Sequence, residues 1–353
     1  MGNIHRIVVI DEGGFETRPY RTGTKTGPQP RSARNPNTGA NPAIVQNWRR
    51  VRPQPGPARD QMRTQTIDPA IDLNRPPFQV VPALGPRRVA LEMVRCFRKL
   101  STLPRPVSRT FALAQQSIGL EPADPLVRAG RSIAADIDAG IGAGDPAGYH
   151  HARHFRDVML CTLYLARLAG VPPRSMALLV LAALVHDFHH DGRDDGSQPF
   201  RLETLALART RPYLRQAGVA QAEQALLGAF VLATNAACGW PFARACHLAH
   251  GAGQTLPPPP ERAPGLQPLR EQPDWAMQAV LLGEADVLPS LALTLAYARR
   301  MQASLGLEWG RTLGPEDQLH FIDQVFGRFY VGGFFSPNLQ AIRQAFVRRL
   351  GGI

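Results

Sequence analysis

Apolar residues recur at helical spacing along most of the chain, from about residue 87 to its end. Intervals of three and four residues place them on one side of a helix. Glycine and proline punctuate the pattern, as they do at helix ends. Strand and helix patterns do not alternate, so the sequence predicts an all-α fold, a compact multi-helix array. The predicted helices span residues 89–100, 109–118, 125–139, 149–169, 174–190, 200–214, 220–233, 276–301, 315–330 and 339–350.

The N-terminal quarter differs in character from the rest. Residues 18–86 are rich in proline, arginine, glutamine, threonine, glycine and asparagine, with little apolar periodicity. Such a segment buries too little apolar surface to offset the entropy lost on ordering. We therefore predict that residues 1–85 are largely disordered and that residues 86–353 form the folded domain. Within that domain, the proline-rich residues 251–274 predict a surface loop.

Composition narrows the class of protein. The chain has 353 residues, and its hydrophobic content of 44% is enough for a sizeable core. Its formal net charge of +12 comes almost entirely from arginine, but no basic strip is interleaved with aromatic residues. We therefore expect no specific nucleic-acid partner. The most apolar run, residues 277–298, contains Glu284, Asp286 and Pro289, which favours a buried core helix over a membrane span.

The cysteine content and the N-terminal residues indicate the cellular compartment. The chain has four cysteines, and none forms a CxxC pair. So few cysteines are typical of a reducing compartment, and no apolar signal region follows the N-terminus. We expect a cytoplasmic protein, and the sequence leaves its oligomeric state open.

Candidate chemistry concentrates in two histidine-rich segments, which hold six of the ten histidines. In residues 149–158, His150 and His154 are four residues apart, as neighbours on one helix face are. In residues 184–192, His186 and His190 have the same spacing, and Asp187 follows His186. Imidazole and carboxylate groups from separate helices are the ligands that a two-metal hydrolase needs.

A third source of ligands should come from another buried helix. Asp286 is the best candidate, because a carboxylate in an apolar helix needs a cation or several donors. Glu284, in the same run, is the competing choice. His151 and His189 have the character of hydrogen-bonded core histidines. Asp157 could orient a ligand histidine or form a simple salt bridge on the helix surface.

These segments resemble signatures of the class I 3′,5′-cyclic nucleotide phosphodiesterases, within the HD metal-dependent phosphohydrolase superfamily. Residues 149–158, YHHARHFRDV, are similar to the family's YHNxxHxxDV, and residues 181–192, LAALVHDFHHDG, match its LAxLxHDxxHxG. Weaker similarities are VLATN at residues 231–235 to an "LATD" segment, the Ala285–Asp286 pair to "ADL", and QLHFID at residues 318–323 to "QxGFID". The resemblance covers roughly residues 90–350.

The resemblance implies a phosphodiesterase that converts 3′,5′-cyclic nucleotides into 5′-nucleotides with two divalent ions, which could be zinc, magnesium or manganese. A hydroxide that bridges the two metals would attack the phosphodiester. Asp187 would also bridge to the second ion. The residues implied to hold the tighter ion are His154, His186, Asp187 and Asp286.

The same resemblance implies roles for further residues. His150 would be the general acid, His190 would contact metal-bound water, and Glu203 would support the bridging hydroxide. On the substrate side, Gln318 would bind the purine, Phe321 would clamp it, and Tyr149 would line the nucleotide site. On periodicity alone, Phe321 is equally well a core residue of its helix.

The chain departs from the family pattern at several positions. His151 stands where the family has asparagine, Asn235 replaces the aspartate of "LATD", and His320 replaces a glycine. Glu203 also lacks the histidine pair that follows it in the family. The departures bear more on cyclic-nucleotide specificity than on hydrolysis.

Other functions of an HD-type fold remain open at the level of sequence. One is a nucleotide phosphohydrolase that acts on mono- or triphosphates with the same metals. Another is a non-catalytic module that keeps its metal for stability. A mixed-valent di-iron oxygenase would need further histidine ligands, for which His247 and His250 are the nearest candidates. For the hydrolases, the expected partner is a small-molecule nucleotide.

Overall fold

Proline and glycine delimit the helices of this protein, as the sequence predicts. The computed structural model describes residues 71–193, 198–325 and 332–351, and these residues form α-helices, two 3₁₀ turns and connecting loops, with no β-strand among them. The all-α prediction is confirmed. In chain order the helices are α1 (Pro86–Ser101), α2 (Pro106–Ile118), α3 (Pro125–Asp138), α4 (Ala152–Leu168), α5 (Pro173–Val185), α6 (Arg201–Gln216), α7 (Gln221–Leu232), α8 (Gly239–Ala252), α9 (Pro273–Leu291), α10 (Leu295–Glu308), α11 (Pro315–Val325) and α12 (Ser336–Leu350).

Three helices form the centre of the domain. Helix α5 is apolar on every side, and all its residues from Met176 to Val185 are buried. A helix that is apolar all round must be enclosed by others. Helix α4 packs against both α5 and α9, and each of these two helices is itself largely buried. The two histidine-rich segments and Asp286 are therefore brought together by the core of the fold.

Both histidine-rich segments lie partly outside the helices predicted for them. Helix α4 begins at Ala152, so Tyr149 and His150 precede it, and His151 occupies its N-cap position. Helix α5 ends at Val185, and the residues that follow form a turn in which His189 has a left-handed φ of 67°. The predictions that His150 and His154 share one helix face, and that His186 and His190 share another, are therefore wrong. Polar groups at these two helix ends face a common space instead.

One predicted helix is two helices. Residues 276–301 divide into α9 and α10, which meet at an angle of 98°. No single helix in the described part of the chain is long and apolar enough to cross a membrane. Helices α9 and α10 reach that length and apolar character only when they are counted together. Thr294 begins the second helix, because its side chain accepts a hydrogen bond from the backbone N–H of Tyr297.

Helix α8 was not predicted. Its buried residues include Trp240, Ala243, Cys246 and Ala249, a spacing of three residues that would have identified it. This apolar spacing was obscured by a proline at position 241 and by three glycines, at positions 239, 251 and 253.

Two segments predicted to lack structure contribute to the core. Disorder was predicted for residues 1–85, and residues 1–70 of this segment lie outside the described residues. Residues 71–85 form turns, and Phe78 among them is fully buried. In the proline-rich segment 251–274, a 3₁₀ turn (Pro264–Arg270) places Leu266 and Leu269 in the core. These two buried leucines anchor the segment to the core, so it is not purely a surface loop.

Candidate metal centre

Four side chains converge where α4, α5 and α9 meet. His154 lies in the first turn of α4, His186 and Asp187 follow α5, and Asp286 lies in α9. One ligand atom from each lies within 4.8 Å of those of the other three. The structure thus brings together the four residues that the resemblance implies for the tighter metal.

The distances suit a single ion at the centre of this cluster. His154 Nε2 lies 3.1 Å from Oδ2 of Asp187 and 3.1 Å from Oδ1 of Asp286. The Nε2 atoms of His154 and His186 are also 3.1 Å apart. Metal bonds of about 2.0–2.2 Å would separate neighbouring ligand atoms by about 2.8–3.6 Å in octahedral or tetrahedral geometry. Two imidazole nitrogens facing two carboxylates at these distances fit a divalent cation.

The neighbouring hydrogen bonds orient one of the two imidazoles. His186 Nδ1 donates to the carbonyl of Ala183 at 2.9 Å, which leaves Nε2 with its lone pair toward the cluster. His154 Nδ1 is buried without a hydrogen-bond partner among the described residues. Its backbone N–H donates to Nδ1 of His151, the N-cap residue, at 3.4 Å. His151 therefore acts as a helix cap, a role that asparagine also fills.

The electrostatics of the cluster favour a positive charge at its centre. Burial lowers the pKa of His154, but the Asp187 and Asp286 carboxylates outweigh it and raise the value to about 9. Burial likewise lowers the pKa of His186, but the same carboxylates outweigh it and raise the value well above its usual range. Burial raises the pKa of each carboxyl, but the neighbouring imidazoles hold both values well below the usual range. Two ionised carboxylates thus attract either protons or a metal ion to this point.

The imidazoles of the cluster are buried and its carboxylates are partly open. His154 and His186 are each 1% exposed, whereas the side chains of Asp187 and Asp286 are 16% and 24% exposed. An ion held here would therefore be reached by solvent from the carboxylate side. Access of this kind is a feature of catalytic metal sites, which keep a coordination position open.

His150 lies beside the metal cluster rather than in it. Its Nε2 is 3.9 Å from Oδ2 of Asp187, and its ring stacks on that of His190 with 3.7 Å between centroids. These three residues form a second group whose ligand atoms lie within 4.8 Å of one another. His190 thus belongs with His150 and not with His186. Burial and the neighbouring His150 lower the pKa of His190 to about 4.

Glu308, which the sequence analysis missed, holds His150. Its Oε1 accepts a hydrogen bond from Nδ1 of His150 at 2.6 Å, and its Oε2 accepts from the backbone N–H groups of Tyr149 and His150 at 2.9 and 3.0 Å. Burial raises the pKa of Glu308, but these donors outweigh it and lower the value to about 2. An ionised Glu308 can only accept this bond, so Nδ1 of His150 carries a proton.

Two glycines allow Glu308 to approach. A Cβ atom added at Gly148 would lie 2.9 Å from Oε2 of Glu308, and one added at Gly192 would lie 3.6 Å from its Cγ. Gly192 also has a positive φ of 73°. Gly192, which ends the second histidine-rich segment, therefore packs against Glu308, whose carboxylate binds His150 of the first segment. Nothing in the local sequence of α10 indicated this pairing across 158 residues.

Tyr149 and Gln318 meet at one residue of α9. The Tyr149 hydroxyl and Oγ of Ser290 are hydrogen-bonded at 2.8 Å, and Nε2 of Gln318 donates to the Ser290 carbonyl at 3.1 Å. Ser290 lies one helical turn after Asp286 on the same helix. Phe321 lies one turn after Gln318 in α11, half-buried and packed against the core. The structure therefore places Gln318 against Ser290, one turn of α9 beyond Asp286.

Glu203 lies in the first turn of α6 and is nearly buried. Its carboxylate accepts hydrogen bonds from Nδ2 of Asn235 at 3.2 and 3.4 Å. The Asn235 carbonyl Oδ1 accepts in turn from the backbone N–H of Cys238 at 3.0 Å, which fixes the orientation of the amide. Glu203 belongs to neither group of ligand atoms among the described residues. Its predicted support of a hydroxide stays a prediction.

Other candidates have roles outside the cluster. Asp157 is buried and pairs with the Arg156 guanidinium at 2.6 Å and with the Tyr297 hydroxyl, so it contacts no ligand histidine in the described structure. Its salt bridge is a buried one rather than a surface one. Among the described residues, neither Glu284 nor the pair His247 and His250 joins a group of metal-ligand type. His250 instead contacts the carbonyl of Leu269 at 3.3 Å.

Comparison with known proteins bears on the fold. No protein-family model matches the chain, and no curated protein matches its sequence. The structure of LmjPDEB1 in complex with IBMX is similar, with a TM-score of 0.53 and 14% identity over 76% of this chain and 93% of that one. The phosphodiesterase domain of Salpingoeca rosetta rhodopsin phosphodiesterase is similar at a TM-score of 0.52, with 14% identity over 79% of this chain and 94% of that one. The chain therefore has the fold of phosphodiesterase catalytic domains, as the resemblance of its motifs predicted.

Proposed function

We propose that this protein is a metal-dependent phosphodiesterase that hydrolyses 3′,5′-cyclic nucleotides to 5′-nucleotides. One observation carries the proposal: a histidine held by a buried carboxylate lies beside a four-residue metal cluster without being part of it. His150 Nε2 is 3.9 Å from Asp187, and its Nδ1 is engaged by Glu308. A histidine that lies beside this four-residue cluster, outside it, suits proton transfer to a leaving group.

His154, His186, Asp187 and Asp286 would hold the tighter of two divalent ions, and Asp187 would be shared with the second. Bound divalent ions lower the pKa of water and neutralise charge on phosphoryl oxygens. The burial of both imidazoles leaves the partly exposed carboxylate side as the approach for substrate. The identity of the ions stays a prediction limited to zinc, magnesium or manganese.

His150 would donate the proton that the departing ribose oxygen requires. The donor would be the imidazolium form, protonated on both ring nitrogens: Nδ1–H is engaged by Glu308, so the proton given up would be the one on Nε2, which faces Asp187, and the ring would be left neutral. Glu308 accepts three hydrogen bonds, which fix the ring of His150 and the backbone N–H groups of Tyr149 and His150. The stacked His190 ring further limits rotation of His150. Orientation of this kind contributes to the efficiency of a general acid.

Three further residues would contact the nucleotide. Gln318 has the donor and acceptor of an amide, the pair needed to read a purine edge, and Ser290 links it to Tyr149. Phe321, one helical turn beyond Gln318, would supply an aromatic face for the base. Glu203, oriented by Asn235, would accept a hydrogen bond from water near the metals.

Hydrolysis of cAMP and cGMP by the purified protein with Mn²⁺ or Mg²⁺ tests the proposal. We expect turnover that His150→Gln reduces by about 10²-fold or more while bound metal is retained, since general acids contribute about 10²–10⁴-fold. Asp187→Asn should lose both metal and turnover. Arg131→Ala, an exposed change in α3, is the control.

A panel of mononucleotides and nucleoside triphosphates separates the proposal from its rivals. Turnover of these substrates but not of cyclic nucleotides would assign the same site to a different phosphohydrolase. Stoichiometric metal without turnover of any substrate would contradict catalysis and favour a binding module.

A further inference from the structure

An open groove runs along α10 on a part of the surface distinct from the metal cluster. Its volume is about 600 Å³, within the range of small-molecule sites. One wall is a stripe of α10 that includes Arg299, Gln302 and Gly306, residues three and four apart. The loop that follows α10 and Arg349 of α12 complete it.

The charge of the groove has one sign. Arg299, Arg311 and Arg349 line it, and no carboxylate residue does so within the described part of the chain. Neither Arg299 nor Arg349 forms an ion pair with another described residue. Guanidinium groups bind phosphate through paired hydrogen bonds. The groove is therefore complementary to an anion.

Arg311 is held in place before any ligand arrives. Its guanidinium lies 5.5 Å from the centre of the Trp309 ring and forms an ion pair with Asp317 at 3.0 Å. Its backbone N–H donates to the carbonyl of Gly306, where an added Cβ would come within 2.6 Å of the Arg311 carbonyl. Glycine at position 306 thus lets the loop close against the helix. A positioned arginine loses less entropy on binding than a free one.

The groove adjoins the turn of α10 that carries Glu308, the residue that binds His150. Gly306, Leu307 and Gly310 line it, and Glu308 falls between them in the last turn of α10. The Glu308 side chain faces the other way and binds His150. A ligand that draws the arginines together would act on this turn, and so on the position of Glu308.

We propose that the α10 groove binds a small phosphorylated anion, with negative charge on more than one group, and that its binding changes turnover through Glu308. The groove is lined over residues 299–307 of α10, and about 1.5 Å of rise per residue makes this wall roughly 12 Å long. A single phosphate would therefore not contact arginines at both ends. The effect on turnover rests on the proposed hydrolysis, whereas the binding does not.

The test is calorimetric titration of inorganic triphosphate into Asp187→Ala protein at fixed Mg²⁺, since this background removes binding at the metal cluster. We expect saturable binding that Arg299→Ala/Arg349→Ala weakens by about tenfold or more, the loss typical of charge-assisted contacts. The matched control is Arg98→Ala/Arg131→Ala, which removes two exposed arginines from other helices and leaves the same net charge. Binding that falls equally in both double variants, or in neither, overturns the site.

A second arm measures cyclic-nucleotide turnover with and without triphosphate. In otherwise wild-type protein we expect at least a twofold change that Arg299→Ala/Arg349→Ala abolishes and the control pair retains. Chelation of metal or competition at the metal cluster would affect all proteins alike, and that result overturns the regulatory role. If the protein hydrolyses no cyclic nucleotide, the proposed function fails and the binding arm alone decides the site.

Discussion

Replacing Glu308 by glutamine is the sharpest test of how the candidate acid is held. Glutamine keeps the size of the side chain and one acceptor oxygen, but it removes the charge. Glu308 is 9% exposed and accepts three hydrogen bonds, from Nδ1 of His150 and two backbone N–H groups. Glu308→Gln should therefore weaken both folding and turnover.

The effect on folding can be estimated from the pKa of Glu308. Burial opposes ionisation, but its donors lower the pKa from 4.5 to about 2. Such a change corresponds to about 3 kcal/mol of folding free energy at neutral pH. Because the pKa is lowered, this contribution is complete above about pH 4.5–5.5 and is lost as the pH falls toward 2. The cost of Glu308→Gln should follow the same course.

Urea denaturation of the wild type and Glu308→Gln between pH 3 and pH 7 measures this cost. We expect the difference in unfolding free energy to approach about 3 kcal/mol at pH 7 and to shrink as the pH falls. Glu261→Gln, an exposed change in the loop after α8, should alter stability by under about 0.5 kcal/mol at every pH. A difference for Glu308→Gln that does not vary with pH would refute the reasoning from charge.

Turnover gives an independent readout of the same variant. Loss of the charged partner should reduce kcat by at least about tenfold, a part of the about 10²–10⁴-fold that a general acid contributes. The KM should change less, because Glu308 faces His150 rather than the nucleotide. Unchanged kcat with reduced stability would make Glu308 a structural residue and remove the support it gives to His150 as acid.

Three further predictions follow from individual contacts. Gly148→Ala places a Cβ 2.9 Å from the Glu308 carboxylate, so it should cost about 1–3 kcal/mol of unfolding free energy and lower kcat in the same assays. Asp286→Ala should lower bound metal, measured by atomic emission, because it removes one of four ligands; full metal content would contradict the cluster. Arg156→Met should lower the free energy of unfolding by about 3–5 kcal/mol, because it leaves Asp157 buried without its ion pair. A urea denaturation midpoint close to that of the wild type would contradict this prediction.

Much of the metal centre could be predicted from local sequence. His154, His186 and Asp187 belong to short motifs whose spacing carries chemical meaning, and Asp286 stands out as a carboxylate in an apolar run. The structure brings the four together as predicted. The helical reasoning behind the spacing was only partly right, because α5 ends before His186. The turn after α5 instead directs His186 to the cluster and His190 to His150.

The partners of these residues could not be predicted, because they depend on tertiary contacts. Glu308 is the one glutamate of α10 (residues 295–308), it belongs to no motif, and its contact with His150 spans 158 residues. Ser290, which links Tyr149 to Gln318, is a small polar residue next to a proline and has no motif of its own. Hydrogen-bond partners of this kind follow from how helices pack rather than from which residues adjoin.

The bend between α9 and α10 explains why prediction failed at this particular place. Hydrophobic periodicity across residues 276–301 favoured one helix. Had α9 continued straight from Leu291, Glu308 would lie about 25 Å further along its axis, at about 1.5 Å per residue. The observed turn of 98° instead returns the chain so that Glu308 reaches the residues preceding α4. Asp286 and Ser290 on one side of the bend, and Glu308 on the other, then surround His150 and its neighbours. The break that the periodicity concealed is thus what joins the metal ligands to the residue that positions the acid.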